Sequence, residues 1–206
     1  MQYLDLKIIF LIKKMAAKLV VEGLNAEEIN RSYKAVCDAN PLASAFVIDY
    51  RGVKLLSKSK SNKRKIESSI IFEAVPVVSA IRHVPKFYNG SKDPVIVASD
   101  HRDLIDFAAY YFDWEAEKTR EIERIESRYG RSTMGTLTTM LEPVRVVTES
   151  YPFHFGKIIN GRRKSDNIAH VLCTRKANEM IRRELKRRQK HSKEYYKSLE
   201  SLVGDF

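Results

Sequence analysis

The stretch from Pro94 to Phe107, PVIVASDHRDLIDF, changes from an apolar run into helical periodicity at one acidic residue. Val95, Ile96 and Val97 predict a strand that is buried on both faces, because no polar residue alternates with them. Asp100 then lies at the carboxyl end of that strand, where α/β proteins commonly place their chemistry. The alternative is that Asp100 only caps the following helix, since aspartate is a favoured cap residue.

The composition is strongly basic. The 206 residues include 37 Lys and Arg against 26 Asp and Glu, a formal net charge of +11. Such an excess favours a phosphate-rich partner, with an anionic membrane surface as the second alternative and an acidic protein as the third. Cys37 and Cys173 are far apart and lack CxxC spacing, which argues against a disulfide scaffold or a zinc site. We therefore expect an intracellular, reducing compartment, either cytoplasmic or nuclear.

The N-terminal part contains an apolar run from Leu6 to Ile12, interrupted by Lys7. The run is too short to span a bilayer, and no small-residue cleavage site follows it. We therefore expect neither a membrane helix nor a secretory signal, and no membrane partner. Asn25 and Glu28 have the spacing of a capping box, which predicts a short helix. Residues 1–32 are expected to form a helical extension that packs on the domain.

A second acid ends an extended segment within Tyr33 to Ile48, YKAVCDANPLASAFVI. This segment stops at Asp38, turns at Asn40 and returns as a strand. Asp49 to Gly52 predicts a hairpin turn into a further strand. The run KSKSNKRK that follows, Lys58 to Lys65, is too charged to be buried and is either a solvated loop or a phosphate contact.

A third acid lies in the next helical segment, which starts at Ile70. Proline is tolerated in the first turn of a helix, so we expect the helix to begin just before Pro76, with Glu73 in that turn. Glu67 is the alternative helix carboxylate. The predicted order is strand, hairpin pair, helix, strand and helix, with acids on the first strand, on the helix and on the fourth strand.

Four motifs follow one another between Tyr33 and Arg175: CDANPLASAFVI, EAVPVVSAIRHVPKFYNG, VASDHRDL and SDNIAHVLCTR. In this order they resemble the ribonuclease H domain of gypsy-like LTR retrotransposons and related viral reverse transcriptases. The resemblance implies an α/β, ribonuclease H-like fold with a mixed five-stranded sheet flanked by helices. It places Asp38, Glu73 and Asp100 at the catalytic acids. His170 stands where that family has its last Asp.

Two departures from the family pattern concern the site. The turn after Asp38 lacks a glycine and contains Asn40 and Pro41, so we expect the substrate backbone to approach differently. Glu73 is preferred over Glu67 because its distance to the later motifs matches the family better.

The implied cofactor is Mg²⁺ or Mn²⁺, as two ions held by Asp38, Glu73, Asp100 and His170. Carboxylates that converge from different elements suit paired divalent ions, and their mutual repulsion raises at least one pKa until a metal enters. The histidine removes one negative charge from the set, so we expect weaker binding of one metal.

The implied function is cleavage of the RNA strand of RNA–DNA hybrids by metal-activated water. One alternative is a nucleic-acid-binding or scaffold protein that keeps the fold without cutting. Another is a structure-specific DNA nuclease of the same fold. The chain has no polymerase motif, so membership of a larger polymerase or replication assembly would place the polymerase elsewhere.

The tail from Lys176 to Lys197, KANEMIRRELKRRQKHSKEYYK, predicts a long amphipathic helix. Met180, Ile181 and Leu185 are expected to face the domain, while the cations contact duplex phosphates or, alternatively, are only solvated. The candidate nucleic-acid contacts of the whole chain are Asn40, Lys58, Lys60, Lys63, Arg64, Arg182, Arg183, Lys186, Arg187, Arg188 and Lys190.

Between the last two motifs, small polar residues predict a loop at Ser132 to Thr139, and β-branched residues predict strands at Pro143 to Val147 and Tyr151 to Ile159. We expect a ribonuclease H-like domain over residues 33–175 and a basic C-terminal helix over residues 176–206.

Overall fold

The computed structural model describes residues 18–62, 68–113, 116–159 and 168–203. The side chains of residues 18, 180, 184, 185, 188 and 191–203 are outside this description. Four predictions therefore fall outside the described residues: the apolar run from Leu6 to Ile12, the contacts Lys63 and Arg64, and the alternative carboxylate Glu67.

A mixed six-stranded sheet forms the centre of the molecule, in the order β1-β6-β5-β2-β3-β4. Strand β5 pairs parallel with β2 on one side and with β6 on the other. The other three pairs, β1–β6, β2–β3 and β3–β4, are antiparallel. The strands are β1 Lys18–Val21, β2 Tyr33–Ala39, β3 Ala43–Tyr50, β4 Val53–Ser61, β5 Val95–Ser99 and β6 Phe153–Ile159.

Helices cover both faces of this sheet. They are α1 Ala26–Arg31, α2 Ser69–His83, α3 Arg102–Phe112, α4 Arg120–Leu141, α5 Arg145–Ser150 and α6 Ile168–Val203, with 3₁₀ turns at Val84–Lys86 and Glu142–Val144. The main core lies on the face covered by α2, α3 and α4. The opposite face packs against α1 and, through small side chains, against α6.

The architecture is confirmed: the molecule is an α/β protein with a mixed sheet between helices. Strand β2, the hairpin β3–β4, helix α2, strand β5 and helix α3 follow in the predicted order. The buried run that predicts β5 is buried along its whole length. The hairpin turn places Arg51 and Gly52 at φ 52° and 80°, as a two-residue turn with both central residues left-handed requires.

The sheet has six strands, so the expectation of five is wrong. Residues 18–21, predicted as part of a helical extension, form β1 and pair antiparallel with β6. Gly156 permits this pairing, because a Cβ there would lie 2.9 Å from a methyl carbon of Leu19. Helix α1 forms as predicted, with the Asn25 side chain accepting from the backbone of Glu28 and the Glu28 side chain accepting from that of Asn25.

Helix α2 begins at Ser69, earlier than Pro76 suggests, so Pro76 lies inside the helix and Glu73 lies beyond the first turn. The proline removes the helical hydrogen bond to the Phe72 carbonyl, a cost that tertiary packing offsets. Ile70, buried completely, lies in the extra turn.

Two predictions in the second half of the chain are wrong. Ser132 to Thr139 belongs to α4, because Met134, Leu137 and Leu141 recur at helical spacing and are buried. Gly130, at φ 77°, bends the helix just before them. The stretch Pro143 to Val147 is a 3₁₀ turn followed by α5, not a strand.

Helix α6 begins at Ile168, before the predicted start, and it contacts the domain through a different face. Ala169, Cys173 and Ala177, spaced four residues apart, are the buried positions, and they pack near Ala43 of β3. Ile181, predicted to face the domain, is 45% exposed. Across the described ranges, no helix combines the length and apolarity that a bilayer crossing needs.

Candidate metal centre and nucleic-acid interface

Three carboxylates converge at one edge of the sheet. Asp38 lies near the end of β2, and Asp100 directly follows β5, which runs parallel to β2. The carboxyl ends of adjacent parallel strands lie side by side, so the sheet brings these two acids together. Glu73 reaches the same place from α2. One oxygen from each of the three carboxylates lies within 4.8 Å of the others.

Glu73 is buried, and the backbone fixes its side chain. Its side chain is 7% exposed, and the backbone N–H of Ala39 donates to Oε2 at 3.1 Å. Burial, together with the nearby charges of Asp38 and Asp100, raises the pKa of Glu73 to about 9. In the metal-free protein, Glu73 is therefore protonated at neutral pH.

Asp38 contacts His170, which approaches from the first turn of α6. Asp38 is 3% exposed, and its Oδ2 lies 3.3 Å from Nδ1 of His170. Burial and the charge of Asp100 raise the pKa of Asp38 to about 6, although His170 opposes the rise. The structure thus brings together all four residues predicted as metal ligands.

The chemistry of this cluster fits a divalent cation. Within the described part of the chain, no lysine or arginine forms an ion pair with Asp38 or Glu73. Burial is the first cause of both raised pKa values, and no lysine or arginine in the described ranges offsets it. Oxygen-only carboxylate sets suit Mg²⁺, whereas an imidazole at the margin suits Mn²⁺ better.

His101, next to Asp100 in sequence, has a structural role. Its Nδ1 accepts a hydrogen bond from the backbone N–H of Leu104 at 3.2 Å, so it caps α3. Its Nε2 lies 3.3 Å from Oγ of Ser69 at the start of α2. Burial lowers the pKa of His101, so the ring is neutral. This residue links the two helices that flank the acids. The N-cap of α3 is His101 and not Asp100, so the alternative that Asp100 only caps the helix is wrong.

Cys173 lies beside Asp38, a neighbour that the sequence did not predict. Its thiol donates to the carbonyl of Ala43 at 3.1 Å. Burial, followed by the charge of Asp38, raises the pKa of Cys173 to about 12. In the metal-free protein, the sulfur is therefore a thiol at neutral pH.

A basic surface follows α6 from His170, the residue that contacts Asp38, and its described lining residues all belong to this helix. Arg182, Arg183 and Lys186 line it and are exposed. Arg183 is also paired with Glu179, which is 3.0 Å from Lys176. Arg187 and Lys190 are exposed further along the helix, and the side chain of Arg188 is outside the description.

The other predicted contacts lie on the hairpin side of the acids. Lys58 and Lys60 are exposed on β4, and Nζ of Lys58 lies 2.7 Å from Nε2 of His83. Asn40 shapes the turn after Asp38, because its Oδ1 accepts from the backbone N–H of Leu42 and of Ala43, each at 2.9 Å. Its amide oxygen is thus engaged within the protein.

Comparison with known proteins gives one structural likeness. No protein-family model matches this chain, and no curated protein matches it. Among solved structures, the chain is similar to RNase H1 from the halophilic archaeon Halobacterium salinarum NRC-1, with a TM-score of 0.46 and 12% sequence identity. That match covers 72% of this chain and 98% of the archaeal chain.

Proposed function

We propose that this protein is a metal-dependent endonuclease that cleaves the RNA strand of RNA–DNA hybrids. The observation that supports this most directly is the meeting of Asp38, Glu73 and Asp100, with oxygens within 4.8 Å of one another. The basic surface along α6 begins at His170, the neighbour of Asp38, and its cations would suit the phosphates of a nucleic acid. The sequence resemblance supplies the substrate class.

The proposed cofactor is a pair of Mg²⁺ or Mn²⁺ ions. Asp38, Glu73 and Asp100 would hold them, with His170 at the margin of the site. When bound, two such ions supply stabilisation of the attacking and the leaving oxygens of a phosphodiester. The pKa of Glu73 is raised to about 9 in the metal-free protein. Glu73 must therefore lose its proton before its carboxylate can serve as a metal ligand.

The roles of the chain's own residues follow from their contacts. The Ala39 N–H orients one oxygen of Glu73, and His170 orients one oxygen of Asp38. Both contacts fix carboxylates before substrate arrives, which avoids reorganisation during the reaction. The buried thiol of Cys173 lies beside Asp38 on α6.

The proposed substrate contacts lie on both sides of the acids. Arg182, Arg183 and Lys186 would contact phosphates along α6, and Lys58 and Lys60 would do so from β4. Such contacts add affinity that falls steeply with salt and carries no base specificity. Recognition of a hybrid would then depend on its A-like shape and on the 2′-hydroxyl groups.

We retain two further parts of the proposal on sequence grounds. The four motifs resemble those of the ribonuclease H domains of retroelement reverse transcriptases. That relationship would make the protein a component of a larger polymerase or replication assembly, with the polymerase located elsewhere.

The test is a cleavage assay with three matched substrates: an RNA–DNA hybrid, the corresponding RNA duplex and a branched DNA of equal length, each labelled on one strand. We expect cleavage of only the RNA strand of the hybrid, with Mg²⁺ or Mn²⁺, leaving 3′-hydroxyl ends. Tight binding without cleavage in either metal would instead identify a scaffold protein. Preferential cleavage of the branched DNA would identify a DNA nuclease of the same fold.

A further inference from the structure

A small pocket lies between α2 and the hairpin β3–β4, and we call it the α2–β4 pocket. Its volume is about 230 Å³, and Pro76, three residues after Glu73 on α2, forms part of its wall. On the strand side, Lys58 of β4 pairs with Phe46 of β3, which pairs in turn with the residue before Asp38. Neighbouring strands lie about 5 Å apart, so β4 is about 10 Å from the strand that carries Asp38.

The lining of the α2–β4 pocket is basic and polar. Lys58 and Lys60 contribute ammonium groups, His83 contributes an imidazole, and three serines contribute hydroxyls. None of the described residues that line the pocket is acidic. Ammonium and hydroxyl groups together offer many hydrogen-bond donors. The pocket therefore favours an anion with several acceptor oxygens, and a phosphate group has this chemistry.

His83 holds Lys58 in one position through two hydrogen bonds. Nδ1 of His83 lies 2.7 Å from the carbonyl oxygen of Ser79. A carbonyl oxygen can only accept, so Nδ1 carries the proton and donates. In the neutral ring Nε2 is then an acceptor, and the ammonium of Lys58 donates to it at 2.7 Å. The ring of Phe46 packs beside the imidazole, with centroids 5.4 Å apart. An ammonium has three N–H groups, so two of those on Lys58 are left for a ligand.

This contact orients the charge of Lys58 without compensating it. Elsewhere in the chain, Lys34 lies 3.8 Å from Asp49, and Lys118 lies 2.5 Å from Glu126. Within the ranges that the structure describes, Lys58 has no such carboxylate, and its partner is a neutral ring. Fixing a lysine side chain costs conformational entropy. An anionic ligand binds better to a cation whose position is already fixed, because that cost is not added on binding.

We propose that the α2–β4 pocket is a subsite for one phosphate of a nucleic-acid backbone, in which Lys58 makes the contact and His83 is the positioning residue. This inference rests on the proposed nuclease function, because that function supplies the nucleic acid. Lys60 is exposed on the same wall and adds a second cation. Phosphate contacts fix the register and orientation of a strand and carry no base specificity. The subsite would thus align the strand relative to the three acids.

A salt titration of binding tests the subsite. The full chain is mixed with a labelled RNA–DNA hybrid without divalent metal, and the affinity is measured over a range of NaCl concentrations. Lys58→Gln should weaken binding roughly three- to tenfold at low salt. It should also reduce the slope of log affinity against log salt by about one, as loss of one phosphate contact does. An unchanged slope would overturn the subsite.

The matched control for this titration is Lys118→Gln. It makes the same chemical change at a lysine that Glu126 already compensates. We expect neither the affinity nor the slope to change. A loss equal to that of Lys58→Gln would mean that the effect reflects the net charge of the chain and not the pocket, which would overturn the assignment.

A double-mutant cycle tests the positioning role of His83. His83→Leu removes the acceptor for Lys58 and should weaken hybrid binding roughly two- to fivefold, whereas His83→Gln keeps an acceptor oxygen and should bind nearly as the wild type does. In the Lys58→Gln background, His83→Leu should cause no further loss. The same loss in both backgrounds would show that His83 acts on the fold alone and would overturn its positioning role.

The subsite and the nuclease function fail separately in these experiments. Cleavage of the hybrid with no change of slope in Lys58→Gln would overturn the subsite and leave the nuclease. The change of slope with a hybrid or a DNA duplex, without cleavage of the hybrid in either metal, would overturn the nuclease and leave the subsite. Absence of binding to both duplexes would overturn both.

Discussion

Asp103 lies three residues after Asp100 of the three-acid centre, but its charge is compensated and the charges of Asp38 and Glu73 are not. Asp103, 7% exposed, accepts hydrogen bonds from Arg124 and Arg128, each at 3.0 Å, and from Tyr129 at 3.0 Å. Burial alone would raise the pKa of Asp103, but the hydrogen bonds from Tyr129 and Arg124 outweigh it, so the pKa is lowered. This acid is neutralised by the chain's own cations.

The three-acid centre of Asp38, Glu73 and Asp100 differs from Asp103 in its ion pairs. Asp38 and Glu73 have raised pKa values and, among the residues that the structure describes, no ion pair with lysine or arginine. The chain has 37 lysines and arginines, so the difference does not reflect a shortage of cations. Buried carboxylates are costly unless a positive charge compensates them. The comparison shows that the chain compensates Asp103 with its own cations, and it supports the proposal that Asp38 and Glu73 take their positive charge from a bound metal ion.

The largest expected effect is the loss of hybrid cleavage when an acid of the three-acid centre is replaced. Asp38→Asn or Asp100→Asn should lower hybrid cleavage by about a thousandfold or more, because each removes a proposed metal ligand. Hybrid binding should stay near the wild-type level. Cleavage rates and gel-shift affinities measure the two effects.

Asp103→Asn is the matched control, since it makes the same chemical change in the neutralised group. It should leave cleavage nearly unchanged and lower the free energy of unfolding by about 2 kcal/mol through weaker charged hydrogen bonds. If Asp103→Asn abolished cleavage as fully as Asp38→Asn, the contrast between the two groups would be invalid.

Metal addition should stabilise the protein through the three-acid centre alone. At a Mg²⁺ or Mn²⁺ concentration about a hundred times Kd, linkage predicts a gain of about 2.7 kcal/mol in the free energy of unfolding. Thermal denaturation with and without metal measures this gain. It should disappear in Asp38→Asn and persist in Asp103→Asn; an unchanged gain in Asp38→Asn would place the metal elsewhere.

The pH dependence of stability should have opposite signs for the two groups. Glu73 has a pKa raised from 4.5 to about 9, so the native state binds its proton more tightly than the unfolded state. The free energy of unfolding of the metal-free protein should therefore fall as pH rises between about 5 and 9, by at most about 1.4 kcal/mol per pH unit for this group. Denaturant titrations across this range should give a flatter profile for Glu73→Gln.

Asp103 provides the opposite dependence. Its lowered pKa stabilises the protein above the ordinary aspartate pKa, and this contribution is lost as pH falls through the native value. Asp103→Asn should thus change the acid limb of the profile only. A change in the neutral-to-alkaline limb would contradict this division.

The smallest expected effect concerns His170. His170→Asp adds a negative charge beside Asp38, so it should lower the Mg²⁺ concentration for half-maximal cleavage by roughly three- to tenfold. His170→Asn, which is uncharged, is the control and should not lower it. A metal titration of the cleavage rate distinguishes the two; equal curves would mean that His170 is not near a metal.

The sequence predicted the elements that carry the acids, because their signals are local. Val95 to Val97 is an unbroken buried run, and the hairpin turn at Arg51 and Gly52 has a clear turn signature. The meeting of Asp38, Glu73 and Asp100 was expected from the family resemblance, together with the need of paired divalent ions for converging carboxylates. Their roles remain a prediction.

Features that depend on distant partners were not predictable in the same way. Strand β1 has only four residues and is defined by its pairing with β6, more than 130 residues later. Ile181 has the spacing of a buried residue, but the helix packs through Ala169, Cys173 and Ala177 because β3 offers small residues there. The arginine partners of Asp103 lie on a different helix, and no local pattern joins them.

The most direct test is a crystal structure with Mn²⁺ and anomalous diffraction. We predict an anomalous peak bounded by the carboxylate oxygens of Asp38, Glu73 and Asp100, and none at Asp103. Saturating Mn²⁺ without a peak among the three acids, or with a peak only elsewhere, would contradict the claim that this centre is built for a cation.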